Sequence, residues 1–225
     1  MILIASTKEY NIKNYARYIK PIYDSKLITN KDELNIQYIK KLNPSFIFFP
    51  HWSWIIPSEI YENYECVIFH MTDLPFGRGG SPLQNLIIMG EKETKISALK
   101  ATKELDAGEI YLKEDLSLNG KALEIYERAS RIIFEIMINK IITNTPVTKP
   151  QLGDIVKFTR RCPNQSNIKD LDSIEKIYDY IRMLDAPTYP HAYLETKNFK
   201  IEFKDAQVKA DIIECKTTIF IKGLQ

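Results

Sequence analysis

Short, strongly apolar runs alternate along the first two thirds of the chain with longer stretches in which apolar positions recur every three or four residues. That is the rhythm of strands and helices taking turns. Ile2–Ala5 is the first run, after which Tyr10, Ile12, Tyr15, Ala16 and Ile19 share one helical face until Pro21 ends the repeat. A strand at 26–29 and a helix at 31–42, with Leu34, Ile36, Ile39 and Leu42 on its apolar side, make a second pair. Phe46–Phe49 is apolar at every position, as a parallel strand covered on both faces requires. A short helix starts at Pro57-Ser58, residues 66–69 read as another buried strand, and Pro82 opens a helix that Gly90 closes. Strands are expected at 94–99 and 110–112. The longest helix, 120–143, carries Ile125, Ala129, Ile132, Ile133, Ile136, Met137 and Ile141 as one stripe.

This order predicts an α/β protein with a Rossmann-like, mostly parallel sheet over residues 1–150. Pro146 and Pro150 mark a composition shift. Residues 151–225 read as a connector, a helix at 173–184 and a small β-rich appendage with strands near 199–203 and 212–221.

Composition narrows the class. The chain has 225 residues, 44% of them hydrophobic and 27% charged, as in ordinary globular domains. Its 31 basic and 29 acidic side chains leave a net charge of +2, which supplies no general attraction for a polyanion, so no nucleic-acid partner is expected. Three widely spaced cysteines, Cys66, Cys162 and Cys215, suggest neither a disulfide framework nor a metal cage. No stretch approaches the ~20 apolar residues of a membrane span, and the first run is too short for a signal core. The expectation is a cytoplasmic protein without metal or membrane partner.

Candidate chemistry gathers where strands end. His70 follows the run at 66–69 and opens a loop containing Pro75, Gly77, Gly79 and Gly80. Asp106 stands 36 residues further on, in the turn Glu104-Leu105-Asp106-Ala107-Gly108. A histidine with a loop-held carboxylate is an acid/base candidate. His51 and Trp52 follow the strand at 46–49, where open α/β sheets bind ligands, and read equally well as rim or as core. Trp54, followed by Ile55 and Ile56, reads as core. Arg78, between Gly77 and Gly79, would grip an anion or brace its own loop.

HMTDLPFGRGGSPLQ, followed by LDAG, resembles the formyltransferases that use N10-formyltetrahydrofolate, whose signature is Asn-x-His, a Ser-Leu-Leu-Pro loop and Asp-x-Gly. The resemblance carries the family's catalytic histidine and aspartate onto His70 and Asp106. It implies a Rossmann-like formyltransferase core with a truncated form of the family's C-terminal barrel. A donor pocket would take in Phe49, His51, Trp52, Leu105 and Asp106. The family's asparagine is replaced by Ile68, and its loop reads Thr72-Asp73-Leu74-Pro75. An oxyanion donor of that kind is worth roughly 3–4 kcal/mol in acyl transfer. Its stand-in is expected to be His51 first, then Thr72 or a backbone N–H of Gly79-Gly80.

Arg160-Arg161-Cys162-Pro163-Asn164-Gln165-Ser166 resembles a segment of nucleotide-sugar formyltransferases. The resulting expectation is formyl transfer to the amine of a nucleotide-linked amino-deoxysugar for surface glycans, with Arg78, Gly79, Arg160 and Arg161 on the substrate. Exposed strand edges in the appendage leave a homodimer open. The alternatives are a methionyl-tRNA formyltransferase-like enzyme, a formyltetrahydrofolate hydrolase and an inactive folate-binding module.

Overall fold

The computed structural model describes residues 1–223. Its strands are β1 (Ile2–Ala5), β2 (Ser25–Ile28), β3 (Phe46–Phe49), β4 (Cys66–His70), β5 (Arg78–Gly79), β6 (Glu93–Lys100), β7 (Ile110–Ser117), β8 (Lys157–Phe158), β9 (Ala192–Glu195), β10 (Phe199–Lys209) and β11 (Ile212–Ile221). The helices are α1 (Glu9–Asn14), α2 (Ile36–Leu42), α3 (Ser58–Tyr61), α4 (Pro82–Ile88), α5 (Ala122–Ile132), α6 (Ile138–Asn144) and α7 (Ile174–Leu184). A six-stranded sheet runs in the order β2-β1-β3-β4-β6-β7. The pairs β1/β2, β1/β3 and β3/β4 are parallel, and β6 lies antiparallel to β4 with His70 opposite Ser97. β1 is buried along its whole length, and Ile47, Phe48 and Phe49 of β3 are buried with it. Central strands covered on both faces explain why these runs carry no polar alternation.

Helix ends follow local chemistry. The Asn35 side chain accepts from the Tyr38 N–H at 2.9 Å to start α2, which stops at Asn43 with φ 45°. Ser173 caps α7 by accepting from the Lys176 N–H at 3.3 Å. The expected helix at 120–143 is interrupted: α5 passes through a widened turn, Ile133–Met137, into α6. That turn keeps Ile133, Met137 and Ile141 buried in line with Ile125 and Ala129, while Ile132 and Ile136 sit at the margin. β7 outruns its expected end because Lys113, Glu114 and Asp115 sit on an edge strand, where charge is tolerated and conceals the β pattern. The appendage is a three-stranded sheet, β11-β10-β9, rather than two strands. Trp54 is exposed, contrary to the core expectation.

The described residues form two compact units, and these are not the continuous pieces 1–150 and 151–225. One holds residues 1–79, 94–116 and 126–158; the other holds 80–93, 117–125 and the chain from Thr159 onward. No helix among the described residues is long and apolar enough to cross a membrane.

At the carboxyl ends of β1 and β3, buried Asn11 donates to the Ser6 hydroxyl at 2.8 Å and to the Pro50 carbonyl at 3.0 Å. Its loss would leave two acceptors without water or partner. Asn11→Ala is expected to lower stability by about 1–3 kcal/mol in urea unfolding.

Candidate active site

β4, an interior strand, presents His70 at its carboxyl end, and the loop after it returns through a cis Leu74–Pro75 peptide to β5. β5 pairs in parallel with β8, aligning Arg78 with Lys157 and Gly79 with Phe158. Gly79 has φ 110°, and a Cβ there would lie 2.4 Å from the Phe158 carbonyl, so no other residue fits. Beyond β6 the chain turns through Asp106, itself left-handed at φ 54°. This turn closes on Gly108, where a Cβ would meet the Lys100 carbonyl at 2.0 Å. The close approach of two backbones explains the Asp-x-Gly pattern.

The turn returns the Asp106 carboxylate to the end of β4. Its Oδ2 lies 3.5 Å from His70 Nδ1 and accepts from the Gly79 N–H at 3.0 Å. Both side chains are buried. The Gly77 carbonyl lies 2.8 Å from His70 Nε2 and has only lone pairs to offer, so Nε2 carries the hydrogen. In the neutral ring the lone pair is then on Nδ1, facing the aspartate. A proton accepted there becomes a donor aimed at a carboxylate.

Arg78 is committed within the fold. Its side chain is buried, with Nε and Nη2 donating to Gln151 Oε1 at 3.0 and 2.8 Å and Nη1 3.8 Å from Glu104. Bracing, not gripping, is what these contacts describe. Gln151 was invisible in the sequence. It follows Pro150 in a stretch without periodicity, and nothing local marks it.

Phe49 lies in the core with Trp52 edge-on to it, ring centroids 6.1 Å apart. Trp52 is half-buried, and Leu105 is exposed on the Asp106 turn. His51, at φ 51°, bonds through Nδ1 to the Tyr10 hydroxyl and packs on Tyr126 with centroids 4.9 Å apart. Although the residue is half-buried, its ring is enclosed by these aromatics. Burial, and secondarily the Lys8 ammonium, push its pKa down to about 3. His51 is therefore a neutral ring, hydrogen-bonded at Nδ1 to the phenol. Thr72 is fully buried with its hydroxyl 3.5 Å from the Gly77 carbonyl, and the Gly79 N–H is taken by Asp106.

Arg160 and Arg161 belong to the other unit. The Arg161 N–H donates to the Ser81 hydroxyl at 3.1 Å, its guanidinium donates to the Gln165 carbonyl and lies 5.3 Å from the centre of the Tyr180 ring, and Arg160 lies against Gly80. Among the described residues no cluster of three or more His, Cys, Asp or Glu could hold a metal ion.

A family model described as "Formyl transferase" matches residues 7–130, and one described as "Methionyl-tRNA formyltransferase, C-terminal domain" matches residues 163–220. The methionyl-tRNA formyltransferase of Thermodesulfovibrio yellowstonii is 29% identical over 82% of this chain and 60% of its own length. The chain thus spans about 60% of such curated relatives. The solved methionyl-tRNA formyltransferase from Clostridium thermocellum is 52% identical, with 98% of both chains covered and a TM-score of 0.96. A 4-N formyltransferase from Francisella tularensis, 14% identical over 87% of this chain and 92% of its own at TM-score 0.68, shares the fold alone.

These findings overturn the nucleotide-sugar expectation and, with it, the expectation of no nucleic-acid partner. Net charge sums over the whole surface and does not report a local face. The tail expected as a truncated form of the family's barrel is matched, over residues 163–220, by the model described as the C-terminal domain of methionyl-tRNA formyltransferase.

His51 yields a prediction with a definite sign. The unfolded chain takes up a proton below pH ~6.5 that the folded ring refuses down to about 3. Stability should fall as pH drops through that window, by at most about 1.4 kcal/mol per pH unit from this group. Urea unfolding at pH 7.5 and pH 5 should reveal a smaller acid-induced loss in His51→Asn than in the unaltered protein.

Proposed function

The chain belongs to the formyl transferase family, and we propose that it moves a formyl group from N10-formyltetrahydrofolate to the amine of methionyl-tRNA in the cytoplasm. The observation that carries the choice of acceptor is the 52% identity with the Clostridium thermocellum enzyme over 98% of both chains. The buried approach of His70 to Asp106 supports the choice of reaction.

Attack of an amine on the formyl carbon releases a proton and builds negative charge on the formyl oxygen. In this reading His70 Nδ1 accepts the proton, and the carboxylate 3.5 Å away holds the imidazolium that results. Asp106, already fixed by the Gly79 N–H, stays in place through the step. The donor nitrogen regains a proton from the same ring as the C–N bond to the folate breaks. Ile68 has no hydrogen to offer the oxyanion. In this reading His51, a neutral ring just beyond the end of the adjacent strand β3, takes that role. The folate would lie along Trp52 and Leu105, which present surface, with Phe49 supporting Trp52 from the core.

Incubation with the folate donor and either methionyl-tRNA or a panel of nucleotide-linked amino sugars tests the acceptor. Formyl-methionyl-tRNA should form, and a formylated sugar in its place would reject the proposal. His70→Asn and Asp106→Asn, each checked for folding by circular dichroism, should lower kcat by about 100-fold or more.

A further inference from the structure

We propose that Gln151 is a positioning residue for this reaction, acting through Asp106; the inference rests on the His70–Asp106 reading above. The Gln151 amide uses its whole hydrogen-bonding capacity inside the fold. Its nitrogen donates to the carbonyls of Asp106 and Gly108 at 2.9 and 2.8 Å, and its oxygen accepts twice from the Arg78 guanidinium, at 3.0 and 2.8 Å. The reversed amide would set hydrogens against hydrogens and oxygen against oxygens, so only one orientation satisfies the site.

What this fork joins matters. On one side is the turn of Asp106, and on the other is β5, whose Gly79 N–H binds the Asp106 carboxylate and whose neighbour Gly77 orients His70. Asp106 is held at φ 54°, a conformation that an L residue keeps only when its surroundings enforce it. A donor on the Asp106 carbonyl fixes the peptide plane directly after that residue. The same amide, through Arg78, fixes the distance from the turn to the loop that carries the imidazole's acceptor. The chain on either side of Gln151 reinforces this arrangement. Lys149 exchanges backbone hydrogen bonds with Ile110 at 2.9 and 2.8 Å, and the Val156 carbonyl accepts from the N–H groups of Gly77 and Arg78, both at 2.9 Å. Gln151 touches neither His70 nor the Asp106 carboxylate, yet both orientations pass through it.

Two variants separate the halves of the fork. Gln151→Glu keeps acceptors for Arg78 but turns lone pairs on the carbonyls of Asp106 and Gly108. Gln151→Met keeps the length and removes both halves. In each, kcat for formyl transfer is expected to fall about 100-fold, while KM for folate and acceptor stays within about threefold. The ring resonances of His70, one of three histidines, should move while those of His51 and His191 stay. If Gln151→Met does not fold, Gln151→Glu decides alone. Unchanged kcat in the folded variants, a rise in KM without loss of kcat, or an unmoved His70 signal would overturn the inference. His70→Asn run alongside keeps the two claims apart. Should it retain transfer, the catalytic pair is wrong; should it abolish transfer while both Gln151 variants work, only the role of Gln151 is lost.

Discussion

A carboxylate and an imidazole held 3.5 Å apart, almost out of water, impose the constraint around which the rest of this structure is arranged. Burying an ionised carboxylate is costly unless hydrogen bonds replace its water. Here the Gly79 N–H supplies one replacement, and the nearby ring nitrogen becomes a second once it has taken a proton. That demand explains features that otherwise look unrelated. The antiparallel strand β6 carries the chain away from His70 so that a turn can bring Asp106 back. Asp106 adopts a left-handed backbone, and both Gly79 and Gly108 sit where a side chain would strike a carbonyl.

Most of the first unit was legible because its physics is local and repetitive. Runs such as Phe46–Phe49 have one stable use in an α/β protein, and Ser173 announces a helix start in the residue itself, whereas the helix expected from residue 31 begins only after its cap at Asn35. What failed did so for identifiable reasons. The charges of Lys113, Glu114 and Asp115 masked the end of an edge strand. Trp54 was assigned by neighbours in sequence, although a loop residue obeys no periodicity. Gln151 acts only through contacts with residues 43, 45 and 73 positions away, and no pattern in one chain encodes such a meeting.

The acceptor was misread for a different reason. Arg160 and Arg161 lie in a motif-like stretch, and a short motif weighs heavily when it is the only feature distinguishing subfamilies. The structure gives Arg161 local contacts, its backbone N–H on Ser81 and its guanidinium on the Gln165 carbonyl and beside the Tyr180 ring. Likeness along the whole chain then carries more information about the acceptor than seven residues do.

The segment around Gln151 leaves Val147, Leu152 and Ile155 turned to solvent, so it is fastened by polar contacts rather than by burial of its apolar groups. Hydrogen bonds strengthen as the local dielectric falls. A ligand that excluded water from beside this segment would therefore tighten the fastening, and by thermodynamic reciprocity a tighter fastening would hold that ligand more firmly. Order at this edge of the sheet is thus shared between the polypeptide and whatever occupies it.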